Sequence, residues 1–167
     1  ETAIKLREQT ELNVDDIESL QVRVPILEDY FQVDPTGDVA GKFSYKFTVA
    51  CALVDGKVTK WTFSDESFSR KELTPLFQRF SVEKDPDSGS LGVLVARVGG
   101  KEYSLPIEPA PGHIRNPMSP EELQNKFLLN AEPVLDNLRS QEIVERVMSL
   151  EAEESLTSLM DLLSLRK

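Results

Sequence analysis

The chain carries one cysteine and one histidine among its 167 residues. A single Cys51 cannot build an internal disulfide framework and gives no support to secretion. One Cys and one His also leave no ligand set for an internal His/Cys metal site, so no metal is expected. Basic excess is missing as well. The formal net charge is −10, whereas contact with phosphates needs a basic face, which argues against nucleic-acid binding. No apolar run approaches membrane-spanning length, and no basic segment leads into an apolar stretch as in a signal peptide. The expectation is a cytoplasmic protein without membrane contact. An initiator Met is absent too, and Glu1 reads as a processed end or the start of a fragment. There is no Gly-x-Ser-x-Gly elbow, phosphate-binding glycine loop, Gly-x-Gly-x-x-Gly after a strand, or His-Glu-x-x-His.

What is present is an ordinary globular composition, 40% apolar and 29% charged. The length suits one domain with a sizeable core plus an appended helical piece. Residues 1–10 read as a short charged helix. Leu20, Val22 and Val24 alternate with polar residues up to Pro25, the pattern of a half-buried strand near an edge. A loop from Glu28 ends at Asp38, read as the N-cap of a helix with Phe43, Phe47, Ala50 and Val54 on one face and Gly56 as its stop. Ser69 to Glu72 has the spacing of a capping box before Leu73, Leu76, Phe77 and Phe80. The period then shifts to that of strands. Phe80 and Val82 precede the turn at Asp85–Gly89, and 91–98 and 101–107 flank the hairpin signal Gly99-Gly100. Strand, helices and meander together predict an α+β fold with an antiparallel sheet of about four strands.

A proline-rich connector, 106–120, leads to a helix opened by Ser119-Pro120-Glu121-Glu122, which has a capping-box spacing and Pro at the first helical position. Ser140 is read as the cap of a further helix carrying Ile143, Val144, Val147 and Met148. The last helix bears Leu156, Leu159, Met160, Leu162, Leu163 and Leu165. Such a leucine stripe needs a cover, from this domain or from a partner. The division drawn is 1–135 for the α+β domain and 136–167 for the C-terminal helices.

Chemistry-bearing residues are few. His113 lies in a Pro/Gly loop with no carboxylate or nucleophile near it in sequence, and reads as a surface or hinge residue. Arg115 beside it has a guanidinium fork suited to an anionic substrate. Cys51, between two alanines, reads as a small buried hydrophobe. Trp61 and Phe63 read as core or interface. Lys42, Ser44, Tyr45 and Lys46 cluster in the first turns of a helix, where backbone N–H groups and two ammoniums suit a carboxylate. A solvated face of Lys42 and Lys46, at i and i+4, is the reading that the residues by themselves favour.

Ala40-Gly41-Lys42-Phe43-Ser44, the run 50–56 ending Val54-Asp55-Gly56, Val58 and Phe63-Ser64-Asp65 resemble the core signature of the MmgE/PrpD family. Gly112 to Leu123, with Lys126-Phe127, resembles a second signature of that family. The family includes 2-methylcitrate dehydratase, cis-aconitate decarboxylase and iminodisuccinate epimerase. The resemblance implies an α+β lid followed by C-terminal helices that pack on an all-helical domain lying outside this chain. It also implies a lyase or isomerase acting on small di- or tricarboxylic acids by metal-independent proton abstraction, without a cofactor, with a homodimer as a further partner. The acid/base residues that the family places outside the lid have no counterpart here, so the isolated chain is expected to be non-catalytic. A tyrosine three residues after the signature Ser falls, in this chain, at Phe47. Lys42, Ser44, Phe47 and Arg115 are the expected substrate-binding residues, and no catalytic residue is assigned. The alternative is a non-catalytic acidic module for protein interaction or dimerisation.

Overall fold

The structure is a computed structural model, and it describes residues 1–10, 13–28 and 38–164. Two compact units divide the chain, 1–116 and 117–167. The boundary expected at 135/136 falls within the second unit, after its first helix.

Unit 1 is an α+β domain. Helix α1 (Thr2–Thr10) precedes strand β1 (Ile17–Val24). Then come α2 (Asp38–Lys42), α3 (Tyr45–Asp55), α4 (Asp65–Phe68) and α5 (Thr74–Gln78). The chain returns to the sheet as β2 (Phe80–Lys84), β3 (Val93–Val98) and β4 (Lys101–Pro106). The sheet has four strands in the order β2-β1-β3-β4, so β1, expected near an edge, lies between two neighbours. Leu20, Val22 and Val24 of β1 and Leu94 and Ala96 of β3 are buried on one face, with α1, α3 and α5 packed against strands. Period-two alternation in the sequence is thus realised as one buried face.

The sheet is mixed rather than wholly antiparallel. β1 pairs with β3 and β3 with β4 antiparallel, but β1 and β2 run parallel, with Leu20 opposite Phe80 and Val24 opposite Lys84. Between them lie α2 to α5, and a parallel pair needs such a crossover, whereas a hairpin cannot supply it. The β3–β4 link is the expected two-residue hairpin, with Gly99 at φ 55° and Gly100 at φ 77°. Positive φ at both central residues is what a type I′ turn requires.

Two helix readings are revised. The stretch after residue 38 is two helices, because Ser44 takes an extended conformation and its hydroxyl accepts the N–H of Phe47, capping α3. Phe43 is left in the turn and is exposed. The side chain of Asp38, expected as a cap, lies outside the described residues, as does the loop 29–37. The capping box at Ser69 does not form: Ser69 ends α4, and Glu72 instead accepts a hydrogen bond from Arg70. Pro75 explains the break. It lacks an N–H and fits only the first turn of a helix, so α5 starts there, after the 3₁₀ turn Lys71–Leu73.

Unit 2 holds α6 (Pro120–Ala131), α7 (Asn137–Met148) and α8 (Thr157–Leu163). The capping box of α6 is as read, Ser119 accepting from Glu122 N–H and Glu122 accepting from Ser119 N–H. The cap of α7 is Asp136 instead of Ser140. Ser140 is buried in the first turn and donates to the Asp136 carbonyl. An N-cap side chain must reach N–H groups two or three residues ahead, and Asp136 does so at Arg139 N–H, 2.9 Å away. Arg139 in turn donates to the carbonyls of Leu162 and Ser164 at the end of α8. Leu165 lies outside the described residues. Among those described, no helix is long and apolar enough to cross a membrane.

Candidate functional site

The α2–α3 junction is built around an aromatic nest. Phe47 is 0% exposed, and its ring stacks on Phe68 with centroids 4.4 Å apart. Phe63 and Phe77 lie at 5.9 and 6.5 Å, tilted against it. Gly41 lets the nest close: a Cβ there would sit 2.6 Å from the Phe68 ring and 3.3 Å from that of Phe47. Ser44, 2% exposed, points into the same region and serves the helix start. Two of the four expected binding residues therefore present almost no surface in this chain. Their side chains set where the junction stands.

Lys42 is exposed at the last turn of α2. Helix α2 packs against the 3₁₀ turn Lys60–Phe63, and this brings Lys42 Nζ to 6.0 Å from the centre of the Phe63 ring. Lys60 Nζ stands 4.7 Å over Trp61. The result is a strip of two ammonium groups set against aromatic faces in cation–π geometry. Sequence reading assigned Trp61 and Phe63 to core or interface and did not connect them with Lys42. The sequence does place Lys57 and Lys60 just ahead of Trp61 and Phe63, but the approach of α2 to that turn is tertiary.

Both ends of α3 are satisfied locally. Gly56 takes the left-handed conformation (φ 68°) and its N–H bonds to the Ala52 carbonyl. Arg7 of α1 donates to the Leu53 and Val54 carbonyls, which the helix leaves unpaired. Next to it, Arg70 clasps Asp55 with two hydrogen bonds of 2.7 and 2.8 Å, and its acidity is pushed further down by Asp55 first and Glu72 second. Cys51 is fully buried in α3, and burial, aided by the nearby Asp55 charge, raises its thiol to about 12. It is a packed apolar group, not a nucleophile.

Arg115 is exposed on the turn that follows the last strand, and among the described residues no hydrogen bond joins it to Lys42, Ser44 or Phe47. Its backbone N–H donates to His113 Nδ1. No group of three or more His, Cys, Asp or Glu side chains that could hold a metal ion occurs among the described residues.

Unit 2 contributes apolar surface. A groove of about 210 Å³ is lined by Leu123 and Phe127 of α6, Val144 and Val147 of α7, and Leu163 of α8. Leu138, Met160 and Leu156 are more than half exposed.

The MmgE/PrpD C-terminal domain model matches residues 1–151. The chain belongs to the MmgE/PrpD family. This domain is related to cis-aconitate decarboxylase. It is 27% identical to the Mus musculus cis-aconitate decarboxylase over 155 residues, 87% of this chain and 32% of that protein. Identity to the Homo sapiens cis-aconitate decarboxylase is 25% over 162 residues, 93% of this chain and 34% of the relative. For the Aspergillus terreus (strain NIH 2624 / FGSC A1156) cis-aconitate decarboxylase it is 29% over 138 residues, 78% and 28%. The chain spans about a third of the length of the curated relatives it matches. The match on this MmgE/PrpD domain takes in the whole sheet, the aromatic nest, the Lys42 strip, the Arg115 turn and helices α6 and α7.

Proposed function

We propose that this domain is the substrate-covering lid of a cytoplasmic lyase or isomerase of the MmgE/PrpD family that acts on small di- or tricarboxylic acids. Membership of that family over residues 1–151 carries the reading. The relationship to cis-aconitate decarboxylases favours a carboxylate-rich substrate. The reaction is a proton abstraction beside a carboxylate, leading to loss of water or CO₂ or to epimerisation, without a metal or other cofactor. The lid closes over the substrate and keeps water out while the acid/base residues of an all-helical partner domain act.

In this reading Lys42 and Arg115 supply cations for the substrate's carboxylates, and Ser44 and Phe47 fix the height of the α2–α3 junction. A phenyl ring at position 47 has no hydroxyl to give a proton or a hydrogen bond. Whatever that hydroxyl does in a tyrosine-bearing relative must come from another group here. The apolar groove of α6–α8 packs on the helical domain, and two copies of the complete protein form the dimer.

The test uses the complete reading frame and the 167-residue chain side by side. Each is assayed with cis-aconitate, 2-methylcitrate and iminodisuccinate, with and without a chelator. Turnover by the complete protein, unaffected by chelator, and none by the chain alone is the expected result. Turnover by the chain alone would overturn the division of labour, and an inert complete protein would overturn the activity. The exposed apolar side chains of unit 2 also favour a second reading, a non-catalytic acidic module for protein interaction or dimerisation. A complete protein that neither binds nor turns over these acids, together with an isolated chain that folds stably by itself, would support it.

A further inference from the structure

The turn 110–116 is exposed along nearly its whole length, with Ile114 92% exposed, yet it is closely bonded to itself. Gly112 N–H donates to Asn116 O (2.8 Å), His113 N–H to Ala110 O (3.0 Å) and Asn116 N–H to His113 O (2.8 Å). The Asn116 side-chain amide donates to Pro109 O (2.8 Å). A fifth bond differs in kind: the Arg115 N–H donates to Nδ1 of the His113 ring, 3.0 Å away. A ring nitrogen accepts only while it carries no proton, so this bond requires the neutral tautomer protonated at Nε2. The imidazolium carries N–H on both nitrogens and cannot accept.

We propose that this turn is a pH-sensitive clasp, closed while His113 is neutral and opened by its protonation. Protonation turns the acceptor Nδ1 into a donor facing the Arg115 N–H, and it adds positive charge next to the residue that bears the Arg115 guanidinium. The sign follows directly: the clasp is present above the pH at which the ring titrates and is lost below it. His113 is the sole histidine and imidazole is the side chain that ordinarily changes charge between pH 5 and 8. Arg115 is in the turn itself, Glu108 ahead of it is engaged by Lys5, and no carboxylate among the described residues forms an ion pair with His113. The inference rests on the turn's own bonds and does not depend on the lid reading.

The experiment is a nitrogen-15 NMR titration of the 167-residue chain from pH 5 to 8, in which one histidine makes the ring signals unambiguous. The neutral ring is expected to carry its proton on Nε2, and the Arg115 amide shift is expected to move with the same midpoint as the ring. After correction for intrinsic exchange rates, protection of the Arg115 amide should drop roughly 2- to 10-fold on protonation, the effect of one ordinary hydrogen bond. His113→Asn keeps an oxygen acceptor in Asx-turn geometry but does not titrate, so its Arg115 amide should be protected at every pH. His113→Leu should leave that amide unprotected throughout. A neutral ring protonated at Nδ1, an Arg115 amide that ignores the ring titration, or wild-type protection in His113→Leu would each overturn the proposal.

Discussion

Position 47 offers the sharpest test of how this domain is built. The Phe47 ring has no exposed surface and touches three other aromatic rings, the nearest stacked at 4.4 Å. Truncation to alanine removes a whole buried ring and leaves a cavity that the flanking Phe68, Phe63 and Phe77 can only partly fill. The expected cost of Phe47→Ala is about 3–5 kcal/mol. Against the 5–15 kcal/mol typical of a whole domain, that is a large share, and it corresponds to a fall in Tm of roughly 10–20 °C. Phe47→Tyr asks a finer question. A hydroxyl added to a ring enclosed by aromatic carbons has no water to bond, and the penalty is about 1–3 kcal/mol. Urea titrations of the 167-residue chain, with thermal unfolding alongside, measure both. If Phe47→Ala lies within about 1 kcal/mol of the parent, the ring is not part of the core and the argument fails. A neutral Phe47→Tyr would mean that the ring's far edge reaches a polar group or solvent, returning position 47 to the substrate-facing wall.

Other positions test other links in the chain of reasoning. Gly92 has φ 106° and a Cβ there would lie 2.2 Å from the Arg23 carbonyl, so Gly92→Ala should cost more than about 3 kcal/mol, whereas Gly99→Ala, at φ 55° with open space around it, should cost only about 1. Cys51 should resist thiol reagents in the folded chain. Because its folded value near 12 lies above the ordinary thiol range, it stabilises the fold fully below that range and loses this contribution as pH rises toward 12, a slope that Cys51→Ala should remove from alkaline unfolding curves. Glu153 is held below the usual carboxylate range by Arg146, whose guanidinium grips it at 2.7 and 2.8 Å. Its share of stability is present above that range and fades as pH falls through its lowered value, so an NMR titration should give a low midpoint that returns to normal in Arg146→Met. Ser119→Ala should cost about 1 kcal/mol by removing the hydroxyl that accepts from Glu122 N–H at the α6 cap, while the Ser119 backbone bond to Glu122 is kept, as unfolding of unit 2 would report.

What could be read from the sequence was what depends on near neighbours. The buried face of β1, the Gly99-Gly100 hairpin, the Ser119 capping box and the Gly56 helix stop each involve residues within a few positions of one another, and each formed as read. The misreadings share a different cause. The parallel pairing of β1 with β2 joins residues some 60 apart in the chain, Leu20 with Phe80, and nothing in either strand's own pattern encodes direction. Ser140 and Ser69 had the right chemistry for caps, but Asp136 and Pro75 determine where the backbone turns helical, and neighbours with stronger local demands won.

The same distinction explains the site. Lys42 and Ser44 belong to one polar cluster in the sequence and Phe47 joins them through the family resemblance, but a helix start sends neighbouring side chains to different faces. Ser44 and Phe47 went inward, to cap and to pack, and Lys42 went outward. The partners Lys42 then acquired, Phe63 and through its turn Lys60 and Trp61, come from beyond the far end of α3. The carboxylate-binding role proposed for Lys42 therefore rests on how α2 meets the Lys60–Phe63 turn, and on the aromatic nest beneath for its shape. If that is right, Gly41→Ala should disturb it without touching a single charge: the added methyl strikes Phe68, shifts the nest, and moves Lys42 away from Phe63. Loss of carboxylate affinity in a Gly41→Ala variant of the complete protein, with overall folding preserved by near-UV CD, would support this link. Unchanged affinity together with the expected core destabilisation would break it, separating the nest's packing from the placement of Lys42.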